Sequence, residues 1–150
     1  MTLEQRLIAL ARAIGGDIKA LASRALPYQT GVWTPSVQNA TGYAFREGRF
    51  TRLGNLVFIE GAFELDSRKV GGPLIAGLPF PAHPDAPAGG IQIHQYRTAR
   101  AFSILTGEVI PGTSSLQVLA ATRPSTSLST FANTFGKTGA LSFSGHYTIA

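Results

Sequence analysis

The sequence predicts a mainly β protein, an antiparallel, jelly-roll-like β-sandwich head carried on an N-terminal α-helical coiled-coil stalk. Three observations lead there. An apolar row of helical period is confined to the N-terminus, at Leu3, Leu7, Leu10, Ile14, Ile18 and Leu21. From Gly31 on, the texture changes to short alternating runs punctuated by Gly, Pro, Ser, Thr and Asn. Composition agrees: the 150 residues include 17 Gly and 9 Pro, and only 14% are charged, against roughly 25% in an average soluble domain. That profile suits a loop-rich β protein and argues against a helical bundle. With 44% hydrophobic residues, among them nine Phe, four Tyr and one Trp, the chain can fill a core and is not disordered by composition. The expected division is 1–27 for the helical stalk or anchor, 28–31 for a connector and 32–150 for the head.

The helix is expected over 2–26. Thr2 is placed to N-cap it, and Glu4 lies in the first turn, where the helix dipole favours an anion. The spacing four, three, four from Leu3 to Ile14 is an a/d seam, with Leu7 and Ile14 at a and Leu3 and Leu10 at d. This mixture does not decide between two and three strands. The row then steps by four to Ile18, three to Leu21 and four to Ala25, a stutter that relaxes the left-handed supercoil. Gly15 and Gly16 together cost about 2 kcal/mol of helix propensity, so a kink or break there is open. Pro27 ends the helix. The stripe is two positions wide in seven, narrower than a helix lying on a globular core shows. Burial against copies of itself is therefore favoured over burial against its own head.

Strands are expected at 31–37, 42–45, 49–52, 55–65, 91–96, 101–105, 115–121 and 140–149. In 56–65, Val57, Ile59, Gly61, Phe63 and Leu65 share the inward face; Leu56, Phe58, Glu60, Ala62 and Glu64 share the other. In the last run Leu141, Phe143, Gly145, Tyr147 and Ile149 lie opposite Ser142, Ser144, His146 and Thr148. Gly54 and Asn55 lie between two apolar runs and mark a hairpin turn in which Gly54 supplies the positive φ.

Five pieces in order resemble a known family. The opening GVWTPSV (31–37) is similar to the G-x-W-T-P start of many tailed-bacteriophage fibre and receptor-binding proteins. It is followed by GRFTRLGNLV (48–57), a long strand (58–65) with Gly61 in its middle, GLPF (77–80), and the ending SGHYTIA (144–150). The resemblance implies a virion protein, assembled in the host cytoplasm, whose β domain trimerises on a helical stalk in a tail fibre, a baseplate or a head fibre. Other virion proteins would meet its N-terminus. Tyr28 and Trp33 follow the stalk directly, so Trp33 either locks the stalk–head junction or is a core tryptophan.

Enzyme constellations are poorly represented. Glu60 and Glu64 share a strand face but lie about 13 Å apart, outside the roughly 5–9.5 Å that glycan cleavage asks of its two carboxyls. Glu64 and Asp66 fall at about 7 Å, yet Arg68 and Lys69 beside them point to solvated ion pairs. Asp85 and Glu108 could complete a pair only across subunits. No G-x-S-x-G occurs. His83, His94 and His146 lack ligand spacing, although a histidine near a threefold axis would be presented three times. Gly71-Gly72 and Gly89-Gly90 lack the Lys-Ser/Thr of a phosphate loop. Zero cysteines remove disulfides and thiolate sites. No catalytic residue, metal or cofactor is expected.

The net charge of +5 is spread thinly along the chain, unlike the concentrated basic face of a nucleic-acid binder. No run of 18 apolar residues occurs, and Arg6 and Arg12 break the first apolar stretch, so neither a membrane span nor a secretion signal is expected. Recognition is then expected in the loops: 79–90, with four prolines, His83 and Asp85, and 123–139, with Arg123, Asn133 and Lys137. The function expected is that of a non-enzymatic homotrimeric virion fibre protein binding a host surface polysaccharide or receptor, or another virion protein. A capsid-decoration protein of the same fold, and a trimeric polysaccharide-degrading tailspike with its site between subunits, are the alternatives.

Overall fold

The computed structural model describes residues 2–24, 27–99, 101–122, 128–130 and 134–150, the helix side chains at 18 and 20–24 excepted. Among the described residues one helix, α1 (Leu3–Arg24), precedes nine strands: β1 (Tyr28–Trp33), β2 (Ser36–Val37), β3 (Tyr43–Leu53), β4 (Leu56–Leu65), β5 (Leu74–Ala76), β6 (Gly90–Arg97), β7 (Ile104–Val109), β8 (Ser115–Ala121) and β9 (Ala140–Thr148). The start of α1 is a capping box. The Gln5 N–H donates to Thr2 Oγ1 at 3.2 Å, and the Thr2 N–H donates back to Gln5 Oε1 at 2.9 Å. The helix continues through Gly15 and Gly16 without a break. Its apolar row stays in solvent: Leu3 is 77% exposed, Leu7 and Leu10 are 59% and Ile14 is 50%. The single chain offers no second helix among the described residues, so it contains no coiled coil.

Every strand pairing is antiparallel, in the order β1-β3-β4-β9-β6-β7-β8-β5-β2. The two edge strands are consecutive in the chain, with only Thr34 and Pro35 between them. Two linking residues can span no more than about 11 Å, so the sheet curls until its two ends meet at that corner. On the far side β6 and β7 pair only at Gly90↔Glu108 and Ile91↔Gly107, which is where the sheet bends. The expected pair of sheets with jelly-roll order is thus one continuous curled sheet. Its hollow holds one core, including Val57, Ile59, Phe63, Leu65, Ile75, Leu116, Val118, Phe135, Leu141 and Phe143.

Trp33 is 7% exposed and belongs to that core, so it does not cap an open junction. Its Nε1–H is shared between the carbonyls of Arg49 and Glu60, each at 3.2 Å, and its ring meets Phe143 edge-on at 6.1 Å. Gly48 and Gly61, opposite each other across β3 and β4, leave the space that the indole fills. Tyr28 stands exposed at the start of β1.

The strands differ from the sequence expectation in identifiable ways. Residues 28–31, expected as a connector, pair with β3 from Tyr28↔Leu53 to Gly31↔Phe50. The runs 42–45 and 49–52 fuse into β3, because Glu47 and Gly48 interrupt the apolar pattern but not the ladder. β5, three residues long, is too short to show a period. The run expected at 101–105 is shifted to β7, whose Gly107 hides a strand that pairs with β8 throughout. The turn between β3 and β4 is as expected: Gly54 has φ of 64°, its N–H donates to Pro27 O at 2.8 Å, and its place as first central residue is that of a II′ hairpin.

Candidate functional site

The solvent face of β1, β3, β4, β9 and β6 gathers the side chains that alternate with the core. Register aligns them in rows. Val32, Arg49, Glu60, Ser144 and Gln92 form one row across five strands. Thr30, Thr51, Phe58 and His146 form the next toward the helix, and Glu47, Ala62, Ser142 and Gln95 the next away from it. A β-bulge at His94, between the pairs Ile93↔Phe143 and Gln95↔Ser142, takes that residue out of the ladder and re-aims its ring. His94 Nε2 then lies 2.7 Å from Ser144 Oγ.

Three adjoining hollows run along this face. One of about 700 Å³ is lined by Arg49, Phe58, Glu60, Gln92, Ser144 and His146, among others. A second of about 370 Å³ continues past Glu47 and His94. A third of about 600 Å³ reaches Phe45, Tyr96 and the exposed pair in which Arg97 donates to Glu64 at 2.5 Å. The Phe58 and His146 rings lie 6.0 Å apart, tilted by 44°. The groove thus combines half-exposed rings with planar polar groups and hydroxyls. Among the described residues there is no group of His, Asp and Glu able to hold a metal ion, and no helix long and apolar enough to cross a membrane.

Of the loop residues expected to form a recognition surface, the described ones, His83, Asp85 and Lys137, do not converge. The His83 N–H donates to Thr148 O at 2.8 Å, beside the helix end of the sheet, while Lys137 O accepts from the Ser67 N–H at 3.0 Å at the other. The length of β9 separates the two, about 27 Å. His83 Nδ1 accepts from the Asp85 N–H at 3.1 Å, so the ring closes its own turn. The same loop is pinned by Ala82 N–H to Thr113 O at 2.8 Å and by Tyr147 Oη to Phe80 O at 3.0 Å. Burial pushes the Tyr147 phenol up to about 12. Arg123 and Asn133 lie outside the described residues, as do the side chains of Ile18 and Leu21. Leu3, Leu7, Leu10 and Ile14 line one exposed side of α1. Glu64 finds its cation in Arg97, not in Arg68 or Lys69.

The alternation of the sequence alone places Phe58, Glu60, Ser144 and His146 on outward faces. It does not show that the β3–β4 hairpin meets the distant strands β9 and β6, which brings these residues, with Arg49 and Gln92, into one groove. Pairings such as Glu60↔Ser144 span more than eighty residues, and no local pattern encodes them.

These features define a class: a curled antiparallel β domain preceded by a helix whose apolar side is unburied. A solved structure of the same fold is that of the Dettilon tailspike protein (gp208), with a TM-score of 0.65 and 17% identity over 81% of this chain. The chain corresponds to 24% of that protein's length. No family model and no curated protein sequence matches it.

Proposed function

We propose that the chain is a non-enzymatic, homotrimeric phage virion fibre protein, in which α1 assembles and anchors three copies and the β domain meets a host surface or another virion protein. One observation carries the reading: Leu3, Leu7, Leu10 and Ile14 form an a/d row that the chain itself leaves in water. Burying a leucine side chain is worth about 1.5–3 kcal/mol, so such a row is a strong incentive to associate. The fold shared with a tailspike protein and the five motifs in order agree with a virion setting. The pairing of Glu64 with Arg97 supports the non-enzymatic form over a glycan-cleaving one.

Sedimentation equilibrium tests the assembly. The intact chain is expected at three times its 15.8 kDa, and Leu7→Asp combined with Leu10→Asp is expected at one. A monomeric wild-type chain at micromolar concentration would remove the stalk. Binding of the soluble chain to intact host cells separates attachment from capsid decoration: a chain that neither binds cells nor blocks infection belongs on the capsid.

A further inference from the structure

We propose that the groove across β3, β4, β9 and β6 is a binding site for a neutral saccharide. Its sugars lie along the row Arg49, Glu60, Ser144 and Gln92, with one sugar face on Phe58. The inference deepens the host-facing reading of the head and rests on it for the source of the ligand.

The hydrogen-bonding inventory of the row argues for hydroxyl groups. Arg49 only donates, ionised Glu60 only accepts, and Gln92 and Ser144 do both. Arg49 and Glu60 are direct partners in register, yet among the described residues the ion pairing is confined to Arg97 and Glu64. The two side chains therefore stand side by side in solvent, one offering only donors and the other only acceptors, without an ion pair between them. A hydroxyl donates and accepts at once, so neighbouring hydroxyls of a sugar can accept from Arg49 and donate to Glu60 together. The charges of the pair cancel, and Glu47 lines the adjoining hollow, which disfavours uronate, sulfate or phosphate groups. This part of the surface does not follow the basic balance of the whole chain.

Phe58 and His146 supply the apolar part. Phe58 is half-exposed beside the imidazole, and a ring face accepts the C–H face of a pyranose through weak hydrogen bonds and dispersion. An extended peptide fits less well, because β4 and β9 are interior strands whose backbone groups are spent in the ladder, leaving none for strand addition. The hollow of about 700 Å³ lies in the range of small-ligand sites. The row crosses four strands, about 14 Å, enough for about two or three linked sugars.

The test is saturation-transfer NMR on the full chain with maltotriose, cellotriose, mannotriose and chitotriose as neutral probes and trigalacturonate as the anionic control. At least one neutral probe is expected to bind with a Kd near the millimolar range. Phe58→Ala and Glu60→Gln are expected to weaken it by about tenfold or more. Gly90 lines the groove, and a Cβ there meets nothing within 4 Å, so Gly90→Trp plugs the site without disturbing the core and is expected to abolish binding. Asp85→Ala and Lys137→Ala are expected to leave it unchanged. The inference is overturned by silence from every neutral probe at about 20 mM, by binding that survives Gly90→Trp, or by tighter binding of trigalacturonate. It is also overturned if Phe58→Ala or Arg49→Ala lowers the sedimentation mass, since the groove would then be covered by a second copy. Host-cell binding by the same variants keeps the two readings apart. Cells bound equally by Gly90→Trp and wild type remove the groove and leave host attachment standing. A saccharide held by a chain that ignores cells does the reverse.

Discussion

Replacing Gly48 by alanine tests the packing around Trp33. A Cβ at that position would fall on the five-membered ring of the indole, nearest to Nε1 and with Cε2 only 2.5 Å away. Ordinary van der Waals contact begins near 3.4 Å, so the ring must retreat by about 0.9 Å or more against a steep repulsion. It has little room to do so. Its N–H is shared between two carbonyls at 3.2 Å, Phe143 meets its edge, and a Cβ at Gly61 would already lie 3.1 Å from Cζ2. Overpacking of this kind costs about 1–3 kcal/mol, and losing the shared hydrogen bond adds about 1 kcal/mol. The expected loss of about 2–4 kcal/mol corresponds to a Tm lower by roughly 5–12 °C for a chain of this size. Trp33 is the sole tryptophan, so its fluorescence during urea and thermal unfolding reads the perturbed site directly, at one fixed protein concentration because association shifts apparent stability. Gly90→Ala is the control. It enters open space in a strand and is expected to be neutral or to stabilise by about 0.5 kcal/mol. If Gly48→Ala unfolds with the wild type, or if Gly90→Ala is as damaging, the account of the indole seated on two facing glycines is wrong.

Two further predictions concern titration and surface charge. The Tyr147 phenol titrates at about 12 when folded against 10.0 in the ordinary state, so the unfolded chain releases this proton first. Its contribution is whole below pH 10 and is lost as pH rises from 10 to 12, on the order of 2 kcal/mol in all. The difference in unfolding free energy between wild type and Tyr147→Phe should change across that window and be flat below it; a flat difference throughout would refute the assignment. Arg97 and Glu64 are both substantially exposed, so Glu64→Gln is expected to cost less than about 0.5 kcal/mol and to do so less at high salt. A loss of several kcal/mol on denaturant unfolding would contradict that.

Much of the domain was legible because its signals are local. Val57 to Leu65 and Leu141 to Ile149 alternate cleanly, and these two strands are the paired centre of the sheet. Gly54 announced its turn because no other residue takes its φ of 64° so readily. The helix and its cap were readable from Thr2 and the period-3.5 row; Gln5, three residues on, completes the capping box. Misreadings came where local pattern and ladder part company, at Gly48 within β3, at Gly107 within β7, and at Tyr28 to Gly31, whose strand character depends on a partner strand twenty residues away.

What the sequence determines alone is therefore the alternation of each strand, the turn at Gly54 and the apolar row of α1, all set by contacts within a few residues. The tertiary structure decides which strands are neighbours. It closes the sheet at Thr34 and Pro35, buries Trp33 over Gly48 and Gly61, scatters His83, Asp85 and Lys137 to opposite ends, and assembles Arg49, Phe58, Glu60, Gln92 and Ser144 into one groove. The physical reason is the ladder itself. Backbone hydrogen bonds pair any two strands whose buried faces match, so the residues that share a surface are chosen by register and core packing over long separations in the chain.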